Sequence, residues 1–203
     1  MKIENEKKIL AQKRIDEKNA TINNFVNEVE LIHSQSVQNK YANDDFDKNF
    51  RALLPEKITG IDFISLYGDT IDLNSQINPQ TEYLVQISTQ HPVEENARVN
   101  KFMKLLQDFS LDQDFEKLNA MGGLMKMSHQ SYSACGLGTK RTDEIVTMAS
   151  KYLDEGIFGA KITGGGSGGV VCLLTSGDDG REAALEIRTR MEKRYKTTLR
   201  FFG

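Results

Sequence analysis

The sequence predicts an α+β fold in which helices pack on an antiparallel sheet. Apolar residues recur at helical spacing through residues 94–109 and again through 115–129. Two short runs of strand formers, residues 160–162 and 170–175, flank Gly164-Gly165-Gly166-Ser167-Gly168-Gly169, so the chain turns back between them. Further helical stretches stand before and after this hairpin, and such alternation of helices with strands is the pattern of a layered α+β sandwich.

Taken in order, residues 4–38 are polar, with Ile15, Ile22, Phe25, Val26, Val29 and Ile32 forming a partial stripe that predicts one or two long helices. Residues 41–68 carry Phe46, Phe50, Leu53, Leu54, Phe63, Ile64 and Leu66 around Pro55, which predicts short helices separated by turns. Residues 82–88 read as a strand that stops at Gln90-His91-Pro92, because proline has no amide to donate to a ladder. A helix over 94–109 follows, with Val99, Phe102, Met103, Leu105, Leu106 and Phe109 on its stripe. A second, over 115–129, carries Leu118, Met121, Leu124 and Met125, and the short link Ser110-Leu111-Asp112 makes the two an antiparallel pair. Residues 131–140 read as a loop. Thr142 is placed to cap the next helix, which is lined by Ile145, Val146, Met148, Ala149 and Leu153 and closed by Gly156. After the glycine hairpin come a helix over 179–195 and a last strand over 198–202.

Composition narrows the class. At 203 residues, 38% hydrophobic and 27% charged, the chain has room for one substantial core plus an appended helical segment. A net charge of −3 and a pI near 5.7 provide no basic field for a phosphate backbone, so nucleic acid is not expected as a partner. Lys193, Arg194 and Lys196 lie among Glu186 and Glu192 and read as a solvated helix face. Cys135 and Cys172 have neither CxxC spacing nor a histidine cluster beside them, which argues for no metal site and no disulfide framework and fits a reducing cytoplasm. The most apolar run, residues 170–174, is far too short to span a bilayer, so a soluble, cytoplasmic protein without membrane attachment is expected.

Five of the six residues from Gly164 to Gly169 are glycine, and such a run exposes successive backbone amides that form an anion-binding nest. Taken alone, the cluster favours a plainer reading, a hairpin whose backbone packs closely against a helix. The dinucleotide fingerprint needs a helix after its glycines, and here a strand follows; the Walker pattern fails because no Lys-Ser or Lys-Thr pair closes the loop.

Three blocks together are more specific. They are His91-Pro92-Val93-Glu94-Glu95-Asn96-Ala97-Arg98-Val99, Gly123-Leu124-Met125-Lys126-Met127-Ser128-His129 and Gly159-Ala160-Lys161-Ile162-Thr163-Gly164-Gly165-Gly166-Ser167-Gly168-Gly169. In order and spacing they resemble the C-terminal half of GHMP sugar kinases of the galactokinase type. The segment Ser131-Tyr132-Ser133-Ala134-Cys135-Gly136-Leu137-Gly138-Thr139, with Thr142 and Asp143, is similar to the L-arabinokinase branch, as is the stretch from Leu54-Pro55-Glu56 to Tyr67-Gly68-Asp69. The resemblance runs from about residue 54 to residue 174.

The resemblance implies a division into a helical segment, residues 1–53, and a ferredoxin-like GHMP kinase C-terminal domain, residues 54–203. It places Thr163, Gly164, Gly165, Gly166, Ser167, Gly168 and Gly169 beside the phosphates of ATP, at the cleft facing another domain. It further implies an enzyme that transfers phosphate from ATP, with Mg²⁺, to the anomeric hydroxyl of a monosaccharide. The family's Pro-x-x-x-Gly-Leu-Ser-Ser-Ser-Ala loop and its Met-Asp-Gln block, which bears the catalytic aspartate, occur nowhere in these residues. The expectation is therefore a kinase half with no catalytic residue of its own, working with a separate N-terminal half or self-associating through the surface left uncovered. The competing expectation is a non-enzymatic sugar- or phosphate-binding or interaction module.

Ser128, His129, Cys135 and Gly136 are candidates to line the cleft, although a histidine at a helix end satisfied by backbone carbonyls is the plainer reading of His129. Glu94, Glu95 and Arg98 read as first-turn residues favoured by the helix dipole, and Asp143 and Glu144 as a solvated helix start. Met121, Met125, Met127 and Met148 read as core filling, and Cys135 as a buried structural thiol unless exposed.

Overall fold

A computed structural model describes residues 42–68, 70, 75–165 and 169–203. The helices expected over residues 4–38, and Gly166, Ser167 and Gly168 of the glycine run, lie outside the described residues. From Phe46 onward the described chain forms one compact unit.

Helix α1, Ala42–Asn49, and a 3-10 turn, Arg51–Leu53, precede Pro55, followed by strand β1, Ile58–Thr59, and helix α2, Gly60–Tyr67. Short helices around a proline are what the scattered apolar residues of this region predict. Thr59 starts α2 by accepting a hydrogen bond from the Asp62 amide at 3.2 Å. Strand β2, Glu82–Tyr83, pairs antiparallel with β1, and the Lys57 ammonium meets Glu82 at 2.7 Å across that ladder.

The strand expected over 82–88 is much shorter than the sequence suggests, because helix α3 runs without interruption over Val85–Asp112 with Pro92 inside it. Local preference is overridden by tertiary contacts. The Gln86 side chain donates to the Arg51 carbonyl at 2.9 Å, and His91 bonds Ser131 on the next helix at 2.8 Å. Pro92 withholds one amide, and the Cys135 thiol reaches the nearby Ile87 carbonyl at 3.6 Å. Helix α4, Phe115–Ala134, follows after Gln113 turns left-handed at φ 54° and Asp114 caps the Glu116 amide at 3.0 Å. The helical hairpin is as expected, with its link at residues 113–114.

Helix α5, Lys140–Ala149, begins at Thr139, whose hydroxyl accepts from the Thr142 amide while Thr142 reaches back to the Thr139 amide. Thr142 is thus the third residue of the capping box, not the cap. Gly156, at φ 81°, closes a 3-10 turn, Leu153–Glu155, rather than α5 itself. Strands β3, Ile157–Thr163, and β4, Val170–Thr175, form the expected antiparallel hairpin, and helix α6, Gly177–Tyr195, follows. No strand forms over 198–202. Lys196 ends α6 in a left-handed conformation, and the Glu192 carboxylate takes the Leu199 amide at 2.7 Å, so that amide is spent on a side chain instead of a ladder. The described strands accordingly make two separate two-stranded ladders, β1-β2 and β3-β4, in place of one sheet.

β3 is packed on both sides. Ile157 and Ala160 join Ala149, Tyr152, Ala183, Ile187 and Met191 in a core closed by α5 and α6, while Val171 and Leu173 of β4 flank it. Toward α4 the approach is backbone on backbone. A Cβ on Gly122 would lie 1.8 Å from the Phe158 carbonyl oxygen, and one on Gly159 would lie 2.5 Å from the Gly122 Cα. Leu118, Met121, Leu124 and Met125 fill the buried face of α4 around this contact, in line with the core role read for Met121 and Met125. Met148 packs against the α5–α6 core, whereas Met127 is 53% exposed and fills no core.

Because the atoms met are backbone and have nowhere to go, Gly122→Ala is expected to destabilise the fold by about 3 kcal/mol, the upper part of the usual overpacking range. The urea-unfolding midpoint of this variant, set beside that of the exposed-position control Gly123→Ala, checks it, since a Cβ at Gly123 meets nothing within 4 Å.

Candidate functional site

The last two turns of α4 touch α3, α5, β3 and the start of the glycine turn, and they build the site. The group that gathers most of these contacts is the half-buried Glu95 carboxylate of α3. Ser128 Oγ donates to Glu95 Oε1 at 2.5 Å, Lys161 Nζ donates to the same oxygen at 2.7 Å, and Arg98 Nε donates to Oε2 at 2.8 Å. Arg98 Nη1 reaches Glu94 Oε2 at 3.0 Å, and Gln90 donates to the other Glu94 oxygen. Burial raises the pKa of the Glu95 carboxyl, but the hydrogen bonds from Lys161, Ser128 and Arg98 outweigh it and bring the pKa to about 2. Glu94, Glu95 and Arg98 are not dipole caps. α3 starts at Val85, so they sit in its third and fourth turns and serve as an ion-paired node between helix and strand.

His129 lies buried inside α4 rather than at its end, and no backbone carbonyl satisfies it. Its Nδ1 accepts from the Ile162 amide at 3.4 Å, and its Nε2 faces Asp143 Oδ1 at 3.2 Å. An acceptor at Nδ1 fixes the neutral tautomer, with the proton on Nε2 donated to Asp143. Burial lowers the pKa of the imidazole, opposed by the Asp143 carboxylate. Ser133 Oγ also donates to Asp143 Oδ1, at 3.2 Å. Asp143, expected to be a plain solvated helix start, is therefore the anchor of this histidine. The signal available in the sequence was the Thr139 cap, which sets Asp143 in the first turn of α5, next to α4.

The Tyr132 hydroxyl donates to the Gly164 carbonyl at 2.7 Å, one residue past the end of β3. Thr163, Gly164, Gly165 and Gly169 are exposed, Gly164 and Gly169 have φ of 89° and 110°, and a Cβ at any of these three glycines would meet nothing within 4 Å. Close packing against a helix does not account for these glycines. Tyr132 itself was missed as a site residue by sequence reasoning. Its ring is met edge-on by His91, at 5.2 Å between centroids. Of the other candidates, the Cys135 thiol is held toward the Ile87 carbonyl and burial raises its pKa, which is the structural reading. Gly136 is exposed, at φ 78° in the turn after α4. His129 is thus brought to β3, while Ser128 and Cys135 face α3.

Residues 102–196 match the family described as GHMP kinases C terminal, a stretch that takes in the C-terminal part of α3 and all of α4, α5, β3, β4 and α6. The chain carries a GHMP kinase C-terminal domain. It is 37% identical over 158 residues to an L-arabinokinase of Arabidopsis thaliana, covering 74% of this chain and 15% of that protein. It is 34% identical over 113 residues to a galactokinase of Thermotoga neapolitana, covering 55% of this chain and 30% of that protein. A mevalonate kinase of Pyrococcus horikoshii matches at 40% over 78 residues, covering 38% of this chain and 22% of that protein. The chain thus spans under a third of the length of each of these relatives. Among the described residues, the GHMP kinase C-terminal domain has no helix long and apolar enough to cross a membrane and no group of three or more His, Cys, Asp or Glu able to hold a metal ion.

The Glu95 node gives a pH-dependent expectation. A carboxylate that titrates near 2 when folded and at 4.5 otherwise contributes stability that is complete above pH 4.5 and is lost as the pH falls toward 2. Glu95→Gln removes the negative charge that Lys161 and Arg98 share and is expected to cost about 3 kcal/mol at pH 7, the size that the lowered pKa of the carboxyl implies. The gap between the urea midpoints of the two proteins should narrow steadily between pH 4.5 and pH 2.5; a gap that stays constant over that range contradicts the assignment.

Proposed function

We propose that this chain forms the C-terminal part of an ATP-dependent sugar kinase of the galactokinase and L-arabinokinase type, one that phosphorylates the anomeric hydroxyl of a monosaccharide. The observation that carries the reading is the pairing, inside the family match over 102–196, of the Ser128-His129 block with the glycine block. The His129–Ile162 and Tyr132–Gly164 contacts hold these together. Under this reading the domain is ferredoxin-like over residues 54–203 with a helical segment at 1–53. Thr163 and the run from Gly164 to Gly169 face the phosphates.

Phosphoryl transfer needs the transferred group held in line, its charge met by donors and Mg²⁺, and the hydroxyl proton accepted. Exposed glycine amides supply donors and nothing that moves a proton. ATP and Mg²⁺ therefore belong to a complete enzyme whose base and metal ligands come from an N-terminal half, either encoded separately or joined to this one. Val99, Met103 and Leu106 expose 48%, 48% and 41% of their surface along one face of α3, which supports a chain that self-associates or takes that half as its partner. A cytoplasmic setting fits the reading.

The 203-residue chain, incubated with MgATP and L-arabinose or D-galactose, is expected to form no sugar 1-phosphate above background. Mixed with an N-terminal GHMP half bearing the Gly-Leu-Ser-Ser-Ser-Ala and Met-Asp-Gln blocks, it is expected to form product with one of the sugars. Product from the chain alone overturns the division of labour, and no product from any mixture overturns the kinase reading. Light scattering over a wide concentration range tests the partner surface, and a strictly monomeric chain counts against it.

A further inference from the structure

Gly164 and Gly165 have no neighbour within reach of a Cβ, so side-chain packing does not hold the first peptide of the turn in place. Glycine backbone left to itself samples many conformations, and a donor that samples many directions binds an anion poorly. The Tyr132–Gly164 hydrogen bond reaches this peptide from another element, at 2.7 Å. The donor is itself held. His91 packs edge-on against the Tyr132 ring and is bonded to Ser131 at 2.8 Å, and α4 is pinned to β3 through His129 and the close approach at Gly122.

The peptide between Gly164 and Gly165 is trans. In a planar trans peptide the carbonyl and the following N–H point in opposite directions. A Gly164 oxygen drawn onto the Tyr132 hydroxyl therefore turns the Gly165 N–H away from α4.

We propose that Tyr132 is a positioning residue: by anchoring the Gly164 carbonyl it aims the Gly165 amide at a phosphate oxygen. The inference rests on the reading of the glycine turn as a phosphate-handling element and adds a side chain that prepares it. Tyr132 touches neither the phosphate nor the sugar. Its part is to remove the orientational freedom of one donor before the ligand arrives, leaving that donor's full strength for the ligand.

The test uses the full chain and Tyr132→Phe, which keeps the ring against His91 and deletes only the hydroxyl. In weakly aligned, ligand-free samples, the one-bond N–H dipolar coupling of Gly165 is expected to shrink toward zero in the variant, while couplings along β3 and β4 stay unchanged. General destabilisation would not confine the change to Gly165 in this way. An unchanged Gly165 coupling overturns the anchoring. In the second arm both proteins are titrated with inorganic tripolyphosphate. The Gly165 amide proton of the native chain is expected to move downfield saturably, and the variant to bind roughly 2- to 10-fold more weakly, the range equivalent to one neutral hydrogen bond. Equal dissociation constants overturn the proposal. A native chain whose Gly165 amide does not respond overturns the phosphate reading, and with it the aim assigned to Tyr132, even where the dipolar couplings show the anchor in place.

Discussion

Everything at the site depends on how closely α4 lies against β3. Gly122 and Gly159 let the two backbones meet with no side chain between them. That separation brings His129 within reach of the Ile162 amide and the Tyr132 hydroxyl within reach of the Gly164 carbonyl, since both side chains project from the same helix farther along. A helix set off by even one methyl group would leave both polar contacts open and the glycine turn joined to the fold by its strands alone.

Around that contact the chain arranges charge economically. Glu95 is held by one basic residue from its own helix, Arg98, and one from the strand, Lys161, with Ser128 of α4 as a third donor. Two elements that share little apolar surface are thereby tied through a single carboxylate. The histidine beside it is kept neutral by its surroundings, donating to Asp143 and accepting from the strand. The polar interior is a set of braces between α3, α4, α5 and β3, and the exposed backbone of Gly164 and Gly165 is what those braces hold in place.

The glycine hairpin was legible in the sequence because its signal is local: apolar runs on either side and, between them, glycines broken only by Ser167. The α3–α4 hairpin was legible for the same reason, through apolar spacing and a short link. What escaped sequence reasoning depends on distant partners. Val85 and Ile87 look like strand residues until the Arg51 carbonyl, Ser131 and Cys135 are placed around them. The segment after α6 looks like a strand until the Glu192 carboxylate captures the Leu199 amide. Asp143 and Tyr132 carry ordinary residue types at unremarkable positions, and their roles exist only once α4 has met α5 and β3.

The Glu95 node also has a history during synthesis. Arg98 is three residues from Glu95 and available as soon as α3 forms, whereas Lys161 is 66 residues away in the chain. A ribosome delivers residues in order, so α3 and α4 emerge ahead of β3. Through that interval Glu95 rests on a local partner, and a cation is already beside it when the hairpin closes. The last ion pair is the one that joins strand to helix, so the nascent chain gains its glycine turn and the brace beneath it in the same event.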